Sequence, residues 1–370
     1  MQIGGAVTQS CINQLQALAV QHPCVLVTDA PARQADHAFS VHDVWVPELR
    51  WLHRYAHVPR QMLFLLQTGI YLCLSREARG TDLVIFHSHP PAALLTPILH
   101  RVLRCKVVMV VHGDIRDRPP GTYDPRLTWW YAINTLPAYR RADAIIALSP
   151  YMANLAYGGG ARPSKVHLAP NGVDAEEIGL TAHDIKGTTT CTELLFVGRL
   201  EFNKGIDLLI DAFRTLAPLY PELRLTCIGS ANTAIMKPLL DQLRQDQLIE
   251  RLRLLPQQPR EQLGQHYQSA SLVIVPSRSE PQSTVTMEAM AAGRAVIASN
   301  TGGNPMLVDP GKSGLLFRNG DRTDLIEQLD NLLASPATLQ AMGQAALDRH
   351  RSLFSRARVA EAFVHCIDNL

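Results

Sequence analysis

Along the chain, short aliphatic runs bounded by polar or turn residues alternate with longer stretches whose apolar positions return at helical spacing. The runs read as strands. In the first half they are Cys24–Thr28, Asp82–Phe86, Lys106–Val111, Ala144–Leu148 and Val166–Ala169. In the second they are Glu193–Val197, Arg224–Ile228, Leu252–Leu255, Leu272–Val275, Ala295–Ala298 and Gly314–Phe317. Between them, Ile206–Ala217 carries Ile206, Leu209, Ile210 and Phe213 on one helical face, and Thr286–Ala292 opens a further helix. The stretch Met62–Leu74 predicts a buried helix starting after Pro59. Gln67, Thr68 and Gly69 interrupt it, and it falls short of the roughly 20 apolar residues that a spanning helix needs. Strands and helices in this alternation build parallel βαβ units, whose ligands sit beyond the carboxyl ends of the strands.

The pattern lapses between Asp174 and Thr192, a polar stretch rich in glycine and threonine that reads as a linker. A chain of 370 residues divides there into two α/β, Rossmann-like domains over 1–178 and 179–350. Two such domains would face each other across a cleft, with a closing helix over 351–370 returning to the first.

Composition narrows the classes. Hydrophobic residues make up 46% and charged ones 18%, which supplies two cores and argues against disorder. The formal charge of +2 implies neither nucleic acid nor an acidic membrane. Arg50, Arg54 and Arg60 beside the Met62 helix leave room for peripheral contact with a membrane surface. The seven cysteines are scattered and never spaced Cys-x-x-Cys, so free thiols in a reducing cytoplasm are expected and no metal site is. The N-terminus shows no basic stretch followed by an apolar run, so no leader is expected.

Two clusters carry candidate chemistry. In Leu194–Gly205 a strand ends, Gly198 lets the chain turn, and Arg199 and Lys204 follow just before a helix. Cations beside a helix N-terminus suit a diphosphate, although two solvated loop cations would look the same. In Pro276–Met290, Glu280 stands on the loop after a strand and Glu288 in the following helix, separated by seven residues. One carboxylate could hold a sugar and the other a ribose, with the amides of Thr284 and Val285 between them; a structural cap plus a solvated glutamate is the bland alternative. A charge on an apolar helix face also demands a partner for Glu288.

Together with Ala169–Asp174, Ser299–Gly303 and Asp143–Tyr151, these clusters resemble the family-4 retaining glycosyltransferases, in order over nearly the whole chain. The resemblance implies a GT-B fold and transfer of a hexose-type sugar, with retained configuration, from a nucleotide-diphosphate donor to a glycan or lipid-linked acceptor. Cell-surface polysaccharide or glycolipid synthesis, in the cytoplasm or at the inner face of the membrane, is the implied setting. Carried over residue by residue, Arg199 and Lys204 match the diphosphate-binding pair, Glu280 the carboxylate on the donor sugar, and Glu288 the one on the ribose. His112, just past a strand end, matches the histidine that reaches the sugar; Gly4 and Gly5 match the glycine-rich loop near the diphosphate and acceptor. Ser283 stands where the family commonly has glycine, and Met306 where it often has glutamate. No Asp-x-Asp motif offers a metal bridge, so no metal is expected to be required.

Other signals point elsewhere or nowhere. Pro310–Ser313 lacks the first glycine of a phosphate loop, because Met306 stands there. His87-Ser88-His89 reads as a loop at the cleft rather than a metal pair. Tyr123, Trp129 and Trp130 could stack on an acceptor sugar or pack in a core. Only Met1–Ile3 precede Gly4, too few for the strand that relatives place there, so a start downstream of the true one is expected. That feature motivates the alternative of a non-catalytic glycosyltransferase-like binding protein.

Overall fold

The computed structural model describes residues 6–28, 40–43, 57–75, 80–87, 89–113, 125–181, 183–185 and 192–370. The chain falls into two compact units, Met1–Pro170 with Ala360–Leu370, and Asn171–Val359.

The first unit runs α1 (Ala6–Ala19), β1 (Val25–Thr28), β2 (Ser40–Asp43), α2 (His57–Leu74), β3 (Leu83–Phe86), α3 (His89–Val102), β4 (Lys106–Val111), α4 (Pro125–Arg141), β5 (Ala144–Ala147), α5 (Pro150–Gly158) and β6 (Val166–Leu168). Its strands form two parallel sheets among the described residues, β1-β2 and β3-β4-β5-β6. Val107, Met109 and Ile145 pack on one side of the larger sheet with Leu72, Leu95, Leu99 and Tyr139 of the helices. Val108, Val110 and Ile146 pack on the other with Leu18 and Phe363. Burial on both faces explains why β4 reads as an unbroken aliphatic run.

The second unit runs β7 (Glu193–Val197), α6 (Ile206–Leu216), β8 (Arg224–Ile228), α7 (Thr233–Gln245), β9 (Leu252–Leu255), α8 (Gly264–Ser269), β10 (Leu272–Val275), α9 (Thr284–Ala291), β11 (Ala295–Ser299), α10 (Asn304–Leu307), β12 (Gly314–Phe317), α11 (Arg322–Leu333) and α12 (Pro336–Leu353). The last helix, α13 (Arg356–Asp368), begins here and ends among residues of the first unit. Six parallel strands lie in the order β12-β11-β10-β7-β8-β9, so β7 and β10 are neighbours. Leu194, Phe196 and Cys227 line one face against α6 and α11, and Leu195, Val273 and Val296 line the other against Tyr267, Met287 and Met290.

Three features differ from the sequence pattern. β2 carries one aliphatic residue in Ser-Val-His-Asp, and its place comes from a backbone ladder to β1 that periodicity does not register. The division at Pro170/Asn171 precedes the expected 178/179, because Ile178 and Leu180 are buried in the second unit's core and Val173 N donates to Phe354 O at 3.2 Å. The stretch Met62–Leu74 lies within a helix that starts at His57, and its outer face is open: Leu66, Ile70 and Leu74 are exposed. The expectation about Met1–Ile3 falls outside the described residues, as do Gly4 and Gly5.

Candidate functional site

Loops at the carboxyl ends of β7 and β10 hold most of the candidate residues. Gly198 ends β7, its amide donating to Ile228 O at 2.9 Å. Arg199 follows, its guanidinium 58% exposed and paired through two nitrogens with Glu201 at 3.0 Å. An exposed pair of this kind is worth at most about 1 kcal/mol, so another anion displaces it readily. The chain then makes a tight turn over Phe202–Lys204 and enters α6 through Gly205 in the left-handed region (φ 71°). A Cβ at Gly205 would lie 2.0 Å from Pro276 O, so the two loops touch through their backbones.

Arg278 fastens the junction. Its amide donates to Asn203 O at 2.9 Å, its guanidinium spans both Asp207 oxygens at 2.8 and 2.7 Å, and it lies 3.7 Å over the Phe202 ring. Lys204 is thereby held against Glu280. Lys204 Nζ donates to Glu280 Oε2 at 2.7 Å with both side chains largely buried, and Ser277 Oγ donates to the same oxygen at 3.3 Å. The Glu280 backbone is clamped from the other direction: Gly303 N donates to Glu280 O at 2.8 Å. Gly302, at φ 56°, comes so close that a Cβ there would sit 1.9 Å from that oxygen.

α9 begins two residues earlier than its pattern suggests, at Thr284, because buried Ser283 caps it: Ser283 Oγ accepts from Thr286 N at 3.1 Å. The amides of Thr284 and Val285 occupy the first turn, where no acceptor exists within the helix and the dipole is positive. Glu288 lies one turn further in and is buried. Tyr267 Oη donates to its Oε2 at 2.8 Å and Arg260 Nε to its Oε1 at 2.9 Å. Arg260 also binds Glu177 at 2.6 Å, and Glu177 binds Arg356 at 2.8 Å. Burial pushes the Glu288 carboxyl up and the Arg260 charge partly opposes it; burial pushes the Tyr267 phenol well up.

The structure thus joins Lys204 to Glu280, sets Arg199 on the neighbouring loop with Glu201, and places Glu288 in a separate buried cluster. In the first unit, His112 follows β4 and its Nε2 lies 2.8 Å from Nδ1 of His87, which follows β3; the rings stack at 5.1 Å. Burial, and then the second imidazole, pushes His87 down to about 3. Residue patterns missed Arg260 and Tyr267, and gave no pairing to Arg278 or His87, because each reaches its partner through the fold and no local spacing links them. Among the described residues no set of three or more metal-binding side chains gathers. A cavity of about 430 Å³, lined by Glu193, Arg224, Thr226, Arg253 and His266, opens at the amino ends of β7–β9, away from these loops.

Comparison with known proteins adds the lineage. A family model described as glycosyl transferases group 1 matches residues 184–349, and one described as glycosyltransferase family 4 matches residues 3–177. Sucrose-phosphate synthase from Thermosynechococcus elongatus shares the fold with a TM-score of 0.81 at 20% identity, covering 99% of this chain and 93% of that one. Anabaena HepE in complex with UDP shares it with a TM-score of 0.76 at 18% identity, covering 99% and 97%. The chain has the GT-B fold and belongs to the family-4 glycosyltransferases. Relatives in sequence include the D-inositol 3-phosphate glycosyltransferase of Nocardiopsis dassonvillei, 32% identical over 234 residues (58% of this chain, 53% of that one). That of Segniliparus rotundus is 30% identical over 218 residues (55% and 47%). The chain spans about half the length of these curated relatives.

Proposed function

We propose that the chain is a retaining glycosyltransferase that moves a hexose-type sugar from a nucleotide-diphosphate donor to a glycan or lipid-linked acceptor, in cytoplasmic synthesis of a cell-surface polysaccharide or glycolipid. The Lys204–Glu280 contact at 2.7 Å, on the loops beside a capped helix start, carries this reading. In it, Lys204, Arg199, the turn at Gly198 and the amides of Thr284 and Val285 receive the diphosphate. A bound phosphate takes over Lys204 and frees Glu280 for sugar hydroxyls. Glu288 meets the ribose: a carboxylate offers about four lone-pair sites, and Tyr267 and Arg260 use only part of that capacity. His112, Gly4 and Gly5 keep the sugar- and acceptor-side roles that the family resemblance gives them.

The chemistry is positioning plus charge stabilisation. As the bond from the anomeric carbon to the diphosphate breaks, negative charge grows on the leaving oxygen, and Lys204, Arg199 and the helix amides offset it without reorganising. These groups take the part a divalent metal plays elsewhere.

HepE is a protein with structures in complex with UDP and with UDP-glucose, which makes UDP-glucose the first donor to assay. A thermal-shift panel of UDP, GDP, ADP and dTDP identifies the base. Release of nucleotide from the matching donor then tests turnover. Tight binding without release above the uncatalysed rate, with every common donor, rejects catalysis in favour of a binding protein.

A further inference from the structure

The first unit presents an apolar outer surface. α2, α3 and α4 bury their inner faces in one core on the same side of the β3–β6 sheet, with Leu72, Leu95, Leu99 and Tyr139 inside. α3 lies against both of its neighbours. Their opposite faces therefore point the same way, and among the described side chains these expose large apolar residues where a surface helix is ordinarily charged. Ile70 and Leu74 on α2, Ile98 and Val102 on α3, and Trp129 and Ile133 on α4 are between 42% and 70% exposed, each pair one helical turn apart. Large apolar side chains exposed in pairs on adjoining helices form the kind of patch that marks an interaction surface.

Charge says what covers it. None of the three helices contains an aspartate or glutamate. Arg101 and Arg140 are exposed on α3 and α4, three and seven residues past Ile98 and Ile133, and Arg104 is exposed just beyond α3. Helices of the second unit differ: α6 carries Asp207 and Asp211, and α11 carries Asp324 and Glu327. A second copy of the chain on this face would set cations against cations. A bilayer with anionic headgroups answers both features: aliphatic side chains and an indole enter the headgroup–acyl boundary, and guanidinium groups meet lipid phosphates.

We propose that the outer face of α2, α3 and α4 docks the protein on an anionic lipid bilayer. No helix among the described residues is long and apolar enough to cross a membrane, so the contact is peripheral. The proposal uses none of the donor-site residues and stands independently of the glycosyltransferase reading.

Sedimentation of the full chain with vesicles of phosphatidylcholine, alone or mixed with phosphatidylglycerol, tests it without any donor. The wild type should pellet with the mixed vesicles and bind neutral ones at least about tenfold more weakly, since each cation near an anionic surface contributes about 1 kcal/mol. Added salt should weaken the binding. Ile70→Ser with Ile98→Ser and Ile133→Ser, and separately Arg101→Glu with Arg140→Glu, should each lower partitioning at least about tenfold, with unchanged circular dichroism. Quenching by brominated acyl chains in the wild type, reduced in Trp129→Phe, gives a depth readout that does not depend on the multiple variants folding. A wild type left in the supernatant with both vesicle types overturns the proposal. So does equal binding to neutral and anionic vesicles, or binding by the serine variant equal to the wild type's. A serine variant that dissolves a soluble dimer without changing vesicle binding makes the face a contact between copies and likewise overturns it.

Discussion

Lys204 and Glu280, 76 positions apart in sequence, meet at 2.7 Å because a glycine at 205 lets the loop after β7 lie directly on the loop after β10. Each shields the other's charge at a largely buried spot, and in the proposed function a diphosphate arriving at Lys204 exchanges one anion for another. Lys204→Ala and Glu280→Gln should therefore each lower kcat about 10²–10³-fold, the range seen when a charge-stabilising group is removed. Both variants should keep the wild-type circular dichroism spectrum but unfold at a lower temperature, since each leaves a largely buried group without its charge partner. Wild-type turnover in both variants, assayed with a donor that the wild type uses, would separate this ion pair from the reaction.

Gly302 gives an independent handle on the same carboxylate. Alanine there suffers twice, from a left-handed φ of 56° and from a Cβ 1.9 Å from Glu280 O. Gly320 has a comparable φ of 78° with nothing within 4 Å. Gly320→Ala should cost about 1–2 kcal/mol, the backbone penalty alone. Gly302→Ala should cost more and also lower kcat/KM, because relief of the clash moves Glu280. Denaturant titration and steady-state kinetics on the pair check this, and equal losses in both would place the Glu280 loop beyond the glycine's influence.

Around Glu288 the stakes are structural as well as chemical. Arg260 is the cation shared by Glu288 and Glu177, and removing it leaves buried carboxylate charge uncompensated. Arg260→Met should destabilise the fold by about 3–5 kcal/mol in urea titration. Adding Glu288→Gln should recover part of that loss, since the amide still accepts from Tyr267 while carrying no charge. A double variant as unstable as the sum of its parts would show that Arg260 acts through packing instead.

The parallel sheets were legible because buried strands such as Lys106–Val111 and Leu272–Val275 are aliphatic on both faces, a signal that needs no partner to be recognised. The placement of Arg199, Lys204, Glu280 and Glu288 was legible too, since they stand at strand ends and in a helix's opening turns. What stayed hidden is pairing. Tyr267 and Arg260 reach Glu288 from 21 and 28 positions away. β2 is a strand through its ladder to β1 and not through its composition. The exposure of Ile70 was hidden for another reason: an apolar helix face reads as core from sequence, whatever medium covers it.

The proposed division of labour also bears on metals. With Lys204, Arg199 and the amides of Thr284 and Val285 opposing the leaving group's charge, turnover should survive EDTA with less than about a twofold change, far below the loss that removal of one stabilising group produces. Complete loss on chelation, restored by a divalent cation, would transfer that role to a metal.

His87 and His112 share a single hydrogen between Nδ1 and Nε2 at 2.8 Å, so the pair accommodates one proton there and never two. His87 titrates near 3 in the fold, against about 6.5 in an unfolded chain. As pH falls, the unfolded chain takes up its proton first. The contribution to stability is complete above pH 6.5 and declines between 6.5 and 3, at no more than about 1.4 kcal/mol per pH unit. His266 and His350 are also held below their ordinary range by burial and slope in the same sense, so the wild type alone does not isolate the pair. His87→Asn does, since it keeps a hydrogen-bonding group at the δ position and removes the titration. Its stability, from urea titrations between pH 7 and 4, should fall less steeply than the wild type's, and equal slopes would mean that His87 takes up its proton over the same pH range in the folded protein as in the unfolded chain.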